Sequence, residues 1–578
     1  MSTQQIADGF VPGTFDGADW ASVEPLGKSL LARAVASAAE FERWLIERSD
    51  FDAACSEGRA NLYITMTCRT DDKAAAGAWT RYIEEVAPRL KPLGFELDKR
   101  QVELSERFPL PKDRYGVLER DTRVEVDLFR AESVPLETEL SKLDQRYDEI
   151  CGAMTVEFEG ETRTLPQMAR FQQEHDRGLR ERAWRAVAER RARDAEEVES
   201  IYDRMVGLRQ RVAVNAGFKN FRDWSFRAKK RFDYTPEMCF AFHDAVEKHI
   251  VPFNRRADER RRRLLGVDAL RPWDLAVDEK KRPPLRPFEG GQDLVNRTRR
   301  VFDRMDADLG RMFRALGDNA SRGSEGGACL DLESRKGKAS GGYQYMRDLS
   351  RRSFIFMNAA GLHADVHTMV HEAGHMFHSE LCKGDPLVAY RHSPIEFAEV
   401  ASMSMELLSM PELDEYYADP AHVARAVREQ LEGSVGILAW IAQIDAFQHW
   451  VYEHPGHTRE ERKAAWLGLD ARFGRGVSWE GLEAFRSRVW HRQSHLFGVP
   501  FYYIEYGIAQ LGALGLWLHS LRHGRAEALR LYRGALSLGG SRPLPELFRA
   551  AGQPFDFGAA RVAEIVAAVE GELAKLAE

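Results

Sequence analysis

Apolar residues recur at three- and four-residue spacing along most of the chain, which predicts a mainly helical protein. Residues 27–49 (GKSLLARAVASAAEFERWLIERS) show the pattern first, and 73–92, 137–150, 178–216 and 420–450 repeat it. The most apolar stretch, Tyr506 to Leu521, includes Gln510 and His519 and reads as a buried helix, not a membrane span. Strand signals are few. Asn61–Thr67 (NLYITMT) is rich in β-branched and aromatic residues and predicts a strand. Val156–Leu165 alternates apolar and polar residues around Glu159-Gly160 and predicts a hairpin. Leu330–Asp331, the Gly-rich GKASGGYQY (337–345) and Ser353–Met357 predict a small sheet within 328–358. Residues 317–327 read as a loop, prolines cluster at 283–287, and no internal repeat is visible.

Composition narrows the class. Lys plus Arg is 83 against 90 Asp plus Glu, a net charge of −7, which lacks the basic excess that many phosphate contacts require. Nucleic acid is therefore not an expected partner. A hydrophobic fraction of 44% with 12 Trp and 31 Phe in 578 residues is globular, with apolar mass for a large core. The 6 Cys, at 55, 68, 151, 239, 329 and 382, form no C-x-x-C pair and no disulfide framework, which favours a reducing compartment. The first twenty residues have neither a basic n-region nor an apolar core, so the expected location is the cytoplasm, away from membranes. The densest basic run, Arg255–Arg263 (RRADERRRR), interleaves Asp258 and Glu259 and no aromatic platform, and reads as a solvated helix face.

The chemistry concentrates at His371-Glu372-Ala373-Gly374-His375. In this HExxH pattern the two histidines, four apart, project from one helix face and can share a metal, while the Glu can serve as general base for a metal-activated water. Val366, Met369, Val370, Ala373 and Phe377 form an apolar stripe that makes the segment helical. His363 and His367 continue the four-residue spacing backwards and His378 follows, but only His371/His375 carries Glu at the second position. A catalytic zinc takes three protein ligands and keeps one open position. The next predicted helix, SPIEFAEVASMSMELL (393–408), offers Glu396, Glu399 and Glu406. Ser393 and Glu396 have capping-box spacing with Pro394 at the first helical position, which gives Glu396 a structural task. Glu399, set among Phe, Ala, Val and Met, is assigned as the third ligand, since a carboxylate on a buried face needs a partner. Glu406, seven residues on, is suited to hold a ligating histidine through its other ring nitrogen.

These segments resemble the M3 family of zinc oligopeptidases, in its oligoendopeptidase F branch. HEAGHMFHSEL is similar to the family's zinc helix and FAEVASMSMEL to the helix that follows it. HLFGVPFYYIEYGIAQ (495–510) is similar to its C-terminal His-then-Tyr segment, and DLESRKGKASGGYQY (331–345) to its Gly-rich stretch. The resemblance implies a mainly α, ellipsoidal protein split by a deep substrate channel, with a small β-sheet near the zinc helix. It implies an N-terminal helical region (1–200) forming one channel wall and a catalytic region (201–578) with one zinc ion on the channel floor. The activity implied is cleavage of internal bonds in short, unstructured peptides, by a monomer or homodimer. His371, His375 and Glu399 would be the ligands, Glu372 the base, and His495 and Tyr502 the transition-state donors. One position departs from the pattern: a second Tyr seven residues after the first is replaced by Ala509, and Tyr506 or Tyr503 stands nearby to substitute for it. Gly341, Gly342 and Tyr343 are expected to pair with substrate backbone as an added strand. The rival readings are a carboxypeptidase or dipeptidyl carboxypeptidase, for which no Arg is singled out as a terminal-carboxylate anchor, and a non-catalytic peptide-binding protein.

Overall fold

Helices carry most of the chain, as the spacing predicts. The computed structural model describes residues 9–320, 328–335, 337–339 and 341–576. Both expected sheets are present. Strands β1 (Thr155–Phe158) and β2 (Glu161–Thr164) form an antiparallel hairpin with Val156 opposite Arg163. Strands β3 (Leu330–Glu333), β4 (Tyr343–Arg347) and β5 (Arg352–Ala359) form a sheet in the order β3-β5-β4. The central β5 is parallel to β3 and antiparallel to β4, with Tyr343 opposite Phe356. Among the described residues, β4 therefore has a strand neighbour on one side only.

The strand expected at 61–67 is absent. These residues form the last two turns of a 31-residue helix, Ala38–Cys68, opened by a Ser37 side chain that accepts from the Glu40 N–H. Thr65 and Thr67 turn their hydroxyls back onto carbonyls four residues earlier, which lets the β-branched residues stay helical. Ile64 and Cys68 are buried against Phe354 and Phe356 of β5, so tertiary packing overrides local β propensity. Two predicted stretches divide: 178–216 becomes Arg177–Arg193 and Ala195–Asn215, and 27–49 is broken between Ala32 and Ala38.

The basic run lies on helix Val251–Leu265, but it is not simply solvated. Arg260 reaches Glu432 at 2.7 Å and Glu279 at 3.0 Å, and the fully buried Asp258 is held by Arg475. The run braces neighbouring elements. Of the loop expected at 317–327, residues 321–327 lie outside the described residues. No helix among the described residues is long and apolar enough to cross a membrane. The apolar stretch at 506–521 lies in the buried helix Tyr503–His523, and none of the six cysteines is disulfide-bonded.

The largest hydrophobic core runs from Leu143 to Leu573 and contains the helices that bear the HExxH and C-terminal motifs. A second core, from Val23 to Leu104, closes against Leu387 and Tyr390 just after the HExxH helix.

Candidate active site

The HExxH helix spans His363–Cys382, and its predicted stripe (Val366, Met369, Val370, Ala373, Phe377) is buried. Helix Ile395–Leu408 crosses it at Gly374. A Cβ on Gly374 would stand 2.5 Å from Ser402 Cα and 2.6 Å from the Ala401 carbonyl oxygen. Only glycine permits this backbone approach. The approach sets Glu399, one turn before Ser402, beside the two histidines. Glu399 Oε2 lies 3.5 Å from His371 Nε2 and 3.6 Å from His375 Nε2. Donors around a tetrahedral zinc with bonds near 2.0 Å stand about 3.3 Å apart, so this set fits such an ion. Ser402 Oγ donates to Glu399 Oε2 at 2.9 Å and fixes its rotamer.

Glu406 does not point at the same centre. Its Oε1 accepts from His371 Nδ1 at 2.7 Å, and its Oε2 accepts from Gln430 Nε2 at 2.9 Å. That pairing orients the His371 ring so that Nε2 faces Glu399 and His375. The two histidines differ electrostatically. Burial pulls both down, but the Glu406 hydrogen bond and charge outweigh it and lift His371 to about 9, whereas His375, without such a partner, falls to about 4. Glu372 is buried on the same helix. Burial pushes its carboxyl up to about 7, opposed by the charge of His371 and the Gln344 backbone N–H and aided by Glu399.

Glu396 does not cap the helix. Pro394 occupies the cap itself, so the expected register is one residue off, and no side chain makes the cap hydrogen bond. Glu396 is instead buried and accepts from Tyr234 OH at 2.7 Å. His363 and His367 pair with each other at 2.9 Å, and Tyr417 OH meets His363 Nδ1 at 2.7 Å. His378 is buried in the core. A second convergent group, Cys239, Asp445 and His449, is sealed in the core, where His243 Nε2 meets Asp445 Oδ2 at 2.9 Å, and offers a substrate no access.

The C-terminal segment gathers its aromatic residues around His495, with Tyr502 and Tyr506 close enough to Glu399 to feel its charge. The His495 ring lies 5.8 Å from Tyr502, 5.0 Å from Tyr503 and 5.9 Å from Tyr506, centroid to centroid, and Tyr502 and Tyr506 are 5.2 Å apart. Burial raises the Tyr502 and Tyr506 hydroxyls well above the usual phenol range, and the nearby Glu399 charge raises both further. Both remain protonated donors. Ala509 is fully buried in the core. Phe501, just before Tyr502, holds a left-handed backbone (φ 61°), a costly conformation for a bulky residue. Its carbonyl accepts from the buried Arg231, and its N–H donates to Gln448. Lys229 sits over the Tyr502 ring at 5.1 Å.

The Gly-rich stretch is divided in its roles. Gly341 adopts φ 95°, and a Cβ on Gly342 would lie 3.2 Å from the Thr368 methyl and 3.7 Å from Glu372 Oε1. The chain here runs directly past Glu372. The Tyr343 side chain does not reach the site: it stacks on Phe356 at 4.8 Å and pairs with the Thr67 hydroxyl at 2.6 Å. Only its backbone remains for a substrate.

Sequence reasoning missed Ser402, Gln430, Lys229 and the Phe501 conformation. Ser402 was within reach, three residues after Glu399 on one helix. Gln430, on the helix Pro420–Glu453, carried no local signal.

Comparison with known proteins agrees with this geometry. The model of Peptidase family M3 matches residues 170–565. An oligoendopeptidase F homolog of Lactococcus lactis subsp. lactis is 22% identical over 383 residues, 65% of this chain and 60% of that protein. The group B oligopeptidase PepB of Streptococcus agalactiae is 21% identical over 220 residues, 38% of this chain and 35% of that protein. These alignments thus span between a third and three-fifths of the relatives' own lengths. Solved structures match over nearly the whole chain. PZ peptidase A with inhibitor 2 is 27% identical with a TM-score of 0.86, covering 98% of this chain and 99% of that one. A putative oligoendopeptidase F from Bacillus anthracis is 25% identical with a TM-score of 0.81, covering 97% of each chain. With a family model covering more than half of its residues, the chain belongs to peptidase family M3, in the oligoendopeptidase F branch.

Proposed function

We propose that the protein is a zinc-dependent endopeptidase that hydrolyses internal bonds of short peptides. The observation that carries this reading is the convergence of His371, His375 and Glu399 beside a buried Glu372, near a strand edge that has no strand partner among the described residues. A zinc ion held by those three residues would supply a Lewis acid and a water acidified to a pKa near 7. Glu372 accepts a proton at its carboxylate and returns it to the leaving amine nitrogen. Gly341, Gly342 and the backbone of β4 receive the peptide as an added extended strand, with no side chain at Gly342 to crowd Glu372. His495 and Tyr502, with Tyr506 beside them, donate hydrogen bonds to the carbonyl oxygen as its negative charge grows. The cytoplasm is the compartment we assign.

The carboxypeptidase reading needs a cation free to hold a terminal carboxylate. The cavity of about 460 Å³ beside His363 and His367 is rich in arginine, but Arg282, Arg425 and Arg428 are matched to Asp278, Glu429 and Glu432. That pairing gives the rival no support.

The test is mass spectrometry of short peptides blocked at both ends, incubated with and without a chelator. Internal cuts that the chelator abolishes are the expected result. Cuts confined to peptides with a free C-terminus would replace this reading with the carboxypeptidase one.

A further inference from the structure

His495 is held by a short chain of side chains that begins at an indole. Trp440 Nε1 donates to Gln493 Oε1 at 3.0 Å, and Gln493 Nε2 lies 2.8 Å from His495 Nδ1. An amide is ambiguous, since its oxygen and nitrogen can exchange places, and an imidazole is ambiguous between two tautomers. The indole is not: Nε1–H only donates. It donates to the amide oxygen at 3.0 Å, with the Tyr503 hydroxyl as a second acceptor in reach, and this places the amide nitrogen, whose two hydrogens can serve Tyr503 and His495, toward His495. Two donors cannot face each other, so His495 Nδ1 must present its lone pair, and the ring proton must sit on Nε2.

We propose that Gln493, oriented by Trp440, is a positioning residue that fixes His495 as the Nε2–H tautomer, so that its free edge can only donate. The proposal rests on the reading of His495 as a donor to the substrate's carbonyl oxygen, and supplies the reason that donation is available before substrate arrives. A protonated ring would bring an Nδ1–H against the amide hydrogens, so the same contact disfavours the imidazolium. Burial and the charge of Lys229 act in the same direction, lowering the affinity of His495 for a second proton. Trp440 and Tyr503 also line a cavity of about 710 Å³ together with Trp184, Phe253 and Trp479. The residue that orients the donor chain thus stands in the wall of an aromatic-lined space next to the site.

Three variants test this in the zinc-loaded, full-length protein. Gln493→Glu keeps the shape but offers only acceptors, which draws the proton onto His495 Nδ1. As Glu406 does for His371, the carboxylate favours the charged ring, which keeps its Nε2–H. The loss should therefore appear at alkaline pH, where the one remaining proton sits on Nδ1: there kcat should fall by on the order of 10²-fold, the cost of one lost oxyanion donor, with little change in KM. Gln493→Met and Trp440→Phe leave the tautomer or the amide free and should cost less. Independently of turnover, ¹⁵N imidazole spectra, with His495 assigned by difference against His495→Ala, should show a single Nε2–H tautomer in the wild type and a changed population in all three variants. In a His495→Ala background, Gln493→Glu should have no further effect on kcat. An unchanged His495 spectrum in the variants overturns the proposal, as does an equal loss in the His495→Ala background. Near-full activity of His495→Ala overturns instead the role of His495 on which the proposal rests. Should the Glu variant fail to fold, the Met and Phe variants and their spectra decide the matter alone.

Discussion

The two halves of the site are built in different ways. The half bearing His371, His375, Glu399 and Glu406 consists of two regular helices in backbone contact at Gly374, and every functional side chain falls at helical spacing. The half bearing His495, Tyr502 and Tyr506 is mostly irregular: a four-residue helix at His495–Gly498, a left-handed Phe501 and the first turn of a long helix. Its groups are aimed by contacts far away in the chain, such as Arg231 with the Phe501 carbonyl and Trp440 with Gln493. Regular packing holds the three donors close together, and on the proposed mechanism long-range hydrogen bonds would aim dipoles at a charge that exists only in the transition state.

If the halves divide the work in this way, perturbing each should leave a different signature. The largest effect belongs to Glu372→Ala, which sits in the first half but is not among the three donors. Turnover should fall by up to about 10⁴-fold while zinc content, measured by elemental analysis, stays at one ion per chain. Near-full activity would break the assignment of Glu372 as base. Tyr502→Phe comes next. It should lower kcat by roughly 10²–10³-fold and raise KM far less, because its hydrogen bond forms only as charge develops. A change confined to KM would move Tyr502 from transition-state stabilisation to substrate binding. Gly374→Ala has the smallest direct cost, about 1–3 kcal/mol of stability by thermal unfolding, from forcing a methyl group between two backbones. Competition with a chelator should also show weaker zinc binding in this variant, since separating the helices carries Glu399 away from both histidines. Unaltered zinc affinity would show that the helix contact does not set the donor spacing.

Legibility follows the same division. The HExxH helix, the next helix and the placing of Glu399 and Glu406 on it are local periodicities, and period is what a sequence displays directly. The hairpin at 155–164 was visible as an alternation, and the sheet at 330–359 from short apolar runs on either side of a Gly-rich stretch. Asn61–Thr67 misled because its β-branched residues are accommodated by packing against β5, a contact nearly 300 residues away that local propensity does not contain. Ser393 and Glu396 misled by one residue of register, enough to free Glu396 for Tyr234. His495 and Tyr502 were reachable only through resemblance, because nothing in their own spacing says that an irregular loop will deliver them to Glu399. Gln430, Gln493 and Trp440 had no signal at all, since ordinary polar and aromatic residues acquire these tasks only from the fold.

The Gly374 contact has one more consequence, which concerns the size of the ion. Because main-chain atoms meet there, the separation of the two helices from which Glu399 and the imidazoles project is gauged by backbone radii. If these three residues hold an ion, such a seat would discriminate by bond length. Ions that bind nitrogen and oxygen at about 2.0–2.2 Å span it, whereas calcium, which needs about 2.3–2.6 Å and six or more oxygens, meets a gauge too narrow and too poor in oxygen to hold it.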